Sequence, residues 1–156
     1  METRTIRAHM KVRGWSQSEL ARQVGISRQA VSLWFRQEGQ VGLRGAHLLR
    51  LGKVLSLPVE EIARPLPCFG DDHDRLQAEL LWDRLYPGLD DLAIAVAKGE
   101  LPAVARLVEV YGLLASAKVA GDWIWEAFPT YQRFIHPARR RALGRLAEWH
   151  RNRTAS

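Results

Sequence analysis

One stretch constrains this chain more than any other: Gln17-Ser-Glu-Leu-Ala-Arg-Gln-Val-Gly-Ile-Ser-Arg-Gln-Ala-Val-Ser-Leu-Trp34. It reads as two short helices meeting at Gly25, with Leu20, Ala21, Val24, Ile26, Val31 and Trp34 as apolar anchors. Ala21 is small where two helices must approach closely, and Gly25 can adopt the left-handed conformation of a sharp interhelical turn. At about 100° per residue, Ser27, Ala30, Val31 and Trp34 share one face of the second helix. Arg28, Gln29, Ser32 and Arg36 occupy the opposite face. An apolar face to bury, backed by an outward hydrogen-bonding face, is what a helix entering a DNA groove requires.

The flanking sequence is helical as well. No stretch alternates apolar and polar residues over the length of a strand, and β-branched residues are sparse. Residues 1–64 break into five short helices, roughly Thr3–Arg13, Ser16–Val24, Ser27–Arg36, Arg44–Leu55 and Pro58–Ala63. Ser16 and Ser27 stand where a hydroxyl caps free backbone N–H groups, and Ser16-Gln-Ser-Glu19 fits a capping box. Pro58 suits a first helical turn. The segment Arg64-Pro-Leu-Pro-Cys-Phe-Gly-Asp-Asp-His-Asp74 then interrupts any helix and marks a domain boundary. The expected organisation is a domain over 1–64, a linker over 65–74 and a second helical domain over 75–156. In that second part the helices fall near Asp74–Tyr86, Leu89–Lys98, Pro102–Ala120 and Pro137–Arg151, with a shorter one near Trp123–Phe128. The fold class is all-α.

Charge follows the same division. Residues 1–64 hold eleven Lys and Arg against five Asp and Glu; residues 65–120 are net acidic, and residues 121–156 are basic again. A basic N-terminal block is suited to a polyanion, most simply nucleic acid, although a basic surface also serves solubility alone.

The N-terminal block resembles the Cro/C1-type, or XRE, helix-turn-helix family from about Ile6 to Ile62. Gly14-Trp-Ser-Gln-Ser-Glu-Leu-Ala21 is similar to that family's entry into its second helix. Val24-Gly-Ile-Ser-Arg-Gln-Ala-Val31 is similar to the entry into its recognition helix, and Leu48 to Ile62 to its closing helices. Trp15 and Ser56 depart from the pattern, standing where smaller aliphatic and glycine residues are usual, and the loop Gln37–Gly45 is rich in glycine. The resemblance implies a five-helix, lambda-repressor-like DNA-binding domain that docks in the major groove of a double-stranded DNA operator. It implies that Gln17 meets a phosphate at a helix N-terminus. It also implies that Ser27, Arg28, Gln29, Ser32 and Leu33 face the groove. Arg suits guanine, Gln suits adenine and Leu33 suits a thymine methyl. Arg36 and Arg44 are expected to clamp phosphates. The plainer reading is that Ser27 only caps its helix and Arg36 only solvates it.

The second domain is less informative. Leu80, Leu81, Trp82, Leu85 and Tyr86 form one apolar stripe, and Leu107, Val110, Tyr111 and Leu114 form another. Both fit a core, and alternatively an oligomer or partner surface. Trp123, Trp125, Phe128, Tyr131 and Phe134 make an aromatic cluster with the same two readings. His136-Pro-Ala-Arg-Arg-Arg141, continued by Arg145, Arg151 and Arg153, is a second basic feature: a solvated helix face, a phosphate-contacting arm or a site for an acidic protein. Leu81–Asp90, Ala120–Pro129 and Ile135–Arg140 together resemble antitoxin-like regulators encoded beside nucleotidyltransferase toxins of the abortive-infection type. That resemblance implies a possible nucleotidyltransferase-type toxin as partner, with Trp123, Trp125, Tyr131, Arg139 and Arg140 as the residues to meet it.

Catalytic chemistry finds no support. Gly45 through Lys53 has the wrong spacing for a phosphate-binding loop, and Val54 replaces the required hydroxyl. The five histidines, at positions 9, 47, 73, 136 and 150, form no helix-spaced pair. Asp71-Asp-His-Asp74 fits a solvated linker that caps the next helix better than a metal site, so neither metal nor cofactor is expected. The single cysteine, Cys68, rules out an internal disulfide and a cysteine-based structural zinc site. No apolar run is long enough to span a bilayer, and no secretory signal is evident. The expectation is a cytoplasmic transcriptional repressor, acting as a homodimer on its own operon as an antitoxin of a toxin–antitoxin system. The alternatives are a toxin-neutralising adaptor for which DNA binding is secondary, and a phage-type repressor.

Overall fold

The computed structural model describes residues 2–36, 39, 41–70 and 72–154. It is all-α among those residues and divides into two compact units, Met1–Leu66 and Pro67–Ser156.

The first unit contains α1 (Thr3–Val12), α2 (Gln17–Val24), α3 (Arg28–Arg36), α4 (Gly45–Leu55) and α5 (Val59–Ala63). One apolar cluster holds them together: Ile6 and Met10 from α1, Leu20, Ala21 and Val24 from α2, Val31 and Trp34 from α3, Leu51 and Leu55 from α4, and Ile62 from α5. Each helix is too short to be stable alone, so packing of these residues is what holds it. Ser16 caps α2, its Oγ accepting from the Glu19 N–H at 3.2 Å. The reciprocal half of the expected capping box does not form. The Glu19 carboxylate turns forward instead and accepts from Arg22 at 2.6 Å and Gln23 at 2.7 Å. Arg13 closes the unit: its Nη2 donates to the Leu55 carbonyl at 3.0 Å, and its Nη1 to the His9 carbonyl at 3.3 Å. It thereby satisfies carbonyls that the ends of α1 and α4 leave open.

The second unit contains α6 (His73–Leu80), α7 (Leu89–Ala97), α8 (Leu101–Ala120), α9 (Trp123–Glu126), α10 (Phe128–Tyr131), a 3₁₀ turn (Gln132–Phe134) and α11 (Pro137–Thr154). Asp72 caps α6, its Oδ1 accepting from the Arg75 N–H at 3.3 Å. Asp71 lies outside the described residues. Every residue from Leu92 to Ala97 is buried, so α7 is enclosed on all sides, as its unbroken apolar run requires. Leu107 and Val108 of α8, Ile124 of α9, Phe128 and Tyr131 of α10, and Ala147 of α11 complete this core.

Two helices differ from the sequence expectation. The one expected to run to Tyr86 ends at Leu80, because residues 81–88 form a turn. Arg84 takes a left-handed φ of 57° and the Asp83 carboxylate accepts from the Leu85 N–H at 3.1 Å. The expected stripe therefore does not exist as a helix face: Leu80 is buried, whereas Trp82 is 73% exposed. The expected continuous helix from Pro102 to Ala120 is broken at Gly112, at φ 76° and ψ 167°. That backbone state is open to glycine and hostile to other residues. It takes Leu114 out of register with buried Leu107 and leaves it 59% exposed, while Leu113 turns inward.

Candidate nucleic-acid interface

The candidate interface is built on α3. Ser27 starts it, its Oγ accepting from the Ala30 N–H at 3.1 Å. Gly25 precedes it at φ 71°, and its N–H and that of Ile26 both donate to the Ala21 carbonyl, which reverses the chain between α2 and α3. Val31 and Trp34 are buried beneath the helix, and the Trp34 ring lies 6.1 Å from that of His47 on α4. The inward face differs in detail from the expected one. Ser27 is exposed in its capping role, Ala30 is half-buried, and Phe35 joins the core. Arg7 of α1 holds the far end of α3, its guanidinium 5.4 Å from the centre of the Phe35 ring and donating to the Phe35 carbonyl at 3.4 Å.

With Val31 and Trp34 anchored, helical geometry leaves Arg28, Ser32, Arg36, Gln29 and Leu33 within an arc of about 140° on the outer side. Arg28, Gln29 and Arg36 are exposed, Ser32 is half-buried and Leu33 is 58% exposed. Among the described residues, no hydrogen bond or ion pair engages the side chains of Arg28, Gln29, Ser32 or Arg36. Ser27 is held as a cap, but a hydroxyl that accepts can still donate outward. An exposed apolar Leu33 within this polar arc suits a thymine methyl better than it suits water. Gln17 is exposed at the first position of α2, and Arg44 is exposed at the N-cap of α4, where its carbonyl accepts from the His47 and Leu48 N–H groups. Gln37, Glu38 and Gln40 of the glycine-rich loop lie outside the described residues.

Three basic residues near this face were not singled out from sequence. Arg7 and Lys11 of α1 line a shallow cavity of about 180 Å³ together with Gln17, Trp15 and Phe35. Their four-residue spacing on one helix was the available signal. Arg50 of α4 reaches the turn between α2 and α3, with Nη1 4.0 Å from where a side-chain carbon at Gly25 would stand. No local pattern marked it, because the approach is long-range. The one acid on α2, Glu19, is held below the ordinary carboxylate range by hydrogen bonds from Arg22 and then Gln23, so its charge is locally neutralised.

The residues expected to meet a partner in the second unit are mostly occupied internally. Tyr131 is a correction: it is fully buried, and its hydroxyl donates to the Ile124 carbonyl at 2.9 Å, so it cannot present a surface. Burial pushes its phenol upward from the ordinary tyrosine range. Trp125 is only 6% exposed and stacks on His150 at 4.1 Å. Half-buried Trp123 donates through Nε1 to the Ala120 carbonyl at 2.7 Å. Arg139 donates to the Glu109 carbonyl, and Arg140 to the Arg133 and Ile135 carbonyls at 3.0 and 2.9 Å. These contacts fix the start of α11 rather than leaving the two guanidinium groups free.

Residues 6–62 match the family model described as Helix-turn-helix. The first unit is thus an XRE-type helix-turn-helix module, the DNA-binding element of transcription regulators. Neither the search of curated proteins nor that of solved structures returned a match for the chain. Among the described residues, no helix is long and apolar enough to cross a membrane.

Proposed function

We propose that this protein is a sequence-specific transcriptional repressor that binds an operator in its own promoter as a homodimer. The observation that carries the reading is the outer arc of α3, where Arg28 and Gln29 are exposed above the anchors Val31 and Trp34 and, among the described residues, no hydrogen bond or ion pair engages them. Arg and Gln each offer bidentate pairing to a purine edge, which phosphate attraction alone does not require. In this reading Ser27, Arg28, Gln29, Ser32 and Leu33 face the bases, while Gln17, Arg36 and Arg44 fix the register on phosphates. One such helix reads only a short half-site, and two related by a twofold axis supply the affinity of a typical operator. The test is footprinting of the protein on the DNA upstream of its own gene, together with the mass of the complex. The expected result is a protected inverted repeat carrying two chains, abolished in the Arg28→Ala/Gln29→Ala variant. Uniform protection without a preferred site would overturn it.

The regulatory role proposed is that of an antitoxin, with a nucleotidyltransferase-type toxin as partner. Support comes from the resemblance carried by Leu81–Asp90, Ala120–Pro129 and Ile135–Arg140. With Tyr131 in the core and Arg139 and Arg140 engaged, the exposed candidates are Trp82 and Leu85. Co-expression with the product of an adjacent nucleotidyltransferase gene should relieve growth arrest. Continued arrest in the presence of folded protein would discard the antitoxin role while leaving the repressor reading intact.

A further inference from the structure

The outer face of α11 carries chemistry that operator recognition by α3 does not use. The helix holds six arginines against one acid, Glu148. Arg139 and Arg140 are engaged by backbone carbonyls, but Arg141 and Arg145 are not: they are exposed, and among the described residues no hydrogen bond or ion pair occupies them. Both line a groove of about 450 Å³ with Gln132, Pro137, Gly144 and Glu148. Four residues beyond Arg145 stands Trp149, 52% exposed, and four beyond that Arg153, whose guanidinium lies 4.8 Å from the centre of the Trp149 ring. Arg141, Arg145, Trp149 and Arg153 therefore follow one another along the helix at intervals of about 6 Å, drifting slowly around it.

We propose that this stripe is a second nucleic-acid site, distinct from the helix-turn-helix, that binds single-stranded nucleic acid. Two free guanidinium groups one turn apart suit consecutive phosphates of one strand. An indole held out of the core by an arginine stack is a platform for an unpaired base, whose flat face a duplex keeps hidden. The groove, at about 450 Å³, has room for a sugar–phosphate unit. An acidic protein would satisfy the arginines but gives Trp149 no role. Glu148, the single carboxylate on the groove, limits phosphate to the Arg141–Arg145 end, and at its own end is positioned to accept from a base amino group.

The test uses the full chain and fluorescence anisotropy with four labelled probes over a range of salt: a 20-nucleotide oligo-dT, a 20-nucleotide oligo-rU, a 20-base-pair duplex and a polyglutamate peptide. Arg141→Ala/Arg145→Ala should weaken binding of both single strands at least tenfold and lower the salt slope by about 1.4, two phosphates at about 0.7 each. Trp149→Ala should weaken them about fivefold with the slope unchanged. Arg141→Lys/Arg145→Lys should retain the slope. Duplex binding should move less than twofold in each variant, and Arg28→Ala should leave the single-strand affinities unchanged. Loss confined to one of the two strands still supports the site and identifies its sugar. Single-strand affinities within twofold of the parent in both alanine variants overturn the proposal, as does equal loss on the duplex. Polyglutamate binding that matches the single strands and ignores Trp149→Ala also overturns it. All three positions are exposed, and an unchanged melting curve verifies the fold of each variant.

Discussion

Arg106 on α8 pairs with the Asp83 carboxylate through both terminal nitrogens, and its Nη1 also donates to the Leu80 carbonyl at 2.9 Å. One guanidinium thus closes the C-terminus of α6 and fixes the turn that follows it. The same group lies 5.7 Å from the centre of the Trp82 ring and 6.0 Å from that of Tyr86, so the aromatic part of the turn is ordered around it. The hydrogen bonds from Arg106 hold the Asp83 carboxyl well below its ordinary value, at about 2.

That depression has a direction. Asp83 is harder to protonate folded than unfolded, so its contribution to stability is complete above about pH 4. It is lost as pH falls toward about 2. The pair is partly open to solvent, and screening reduces its worth to about 1 kcal/mol. Thermal melts should show Asp83→Asn less stable than the parent at pH 6, with the difference shrinking as pH falls through about 2. A constant difference across that range would show that Asp83 acts through hydrogen bonding alone.

Ser56 ends α4 in the left-handed region, at φ 55°, a conformation that costs a residue with a β-carbon about 1 kcal/mol or more. Ser56→Gly should raise stability by about 0.5–1 kcal/mol after the entropy that glycine adds to the unfolded chain is subtracted. Denaturant titration should give a higher midpoint at unchanged slope. Gly25→Ala, at φ 71°, should move the midpoint the other way by a similar amount.

Gly112 provides a comparison without crowding. A side-chain carbon there would meet no atom within 4 Å, so steric fit is not at issue. Gly112→Ala should still destabilise the protein by about 1–2 kcal/mol, because its φ of 76° is what redirects α8. A neutral substitution would mean that the break in α8 relaxes into continuous helix at little cost.

In the proposed reading, Arg28 and Arg44 separate base reading from phosphate attraction. Arg28→Ala should cost about 1–3 kcal/mol on the operator and relax preference at one base pair of each half-site. Its effect on scrambled DNA should be small. Arg44→Ala should weaken both DNAs alike and lower the salt slope by about one per site. Neither replaces a core anchor, so melting temperatures should hold. Equal losses on both DNAs for Arg28→Ala would make it a phosphate clamp.

Asp122, Glu126, His150 and Arg151 border a cavity of about 480 Å³ floored by Trp125, Pro129 and Ala147. His150 stacks on Trp125 with ring planes 4° apart, so the stack braces α11 against α9. His150→Ala should lower the melting temperature of the second unit by a few degrees, corresponding to about 1 kcal/mol. Single-strand affinity should be retained if α11 stays helical.

Local sequence determined the helices, most of their ends and the exposed polar face of α3. Capping by Ser16 and Ser27 and the turn at Gly25 follow from interactions within a few residues, and helical periodicity marked Val31 and Trp34 as the inward face. Whatever depended on contacts distant in sequence was decided by the tertiary structure. Periodicity carried α6 through to Tyr86, but Arg106, 23 residues beyond Asp83, held the chain in a turn instead. The continuous apolar pattern across Gly112 concealed the break in α8, since a spacing rule is blind to the backbone angle of one residue. Tyr131 was open to both a core and a partner reading, and the fold places it in the core. Arginines at 139, 140 and 141 are identical as letters. Only the position of the neighbouring carbonyls ties down the first two and leaves the third free, because burial and hydrogen-bond partnership belong to the fold and not to the residue type.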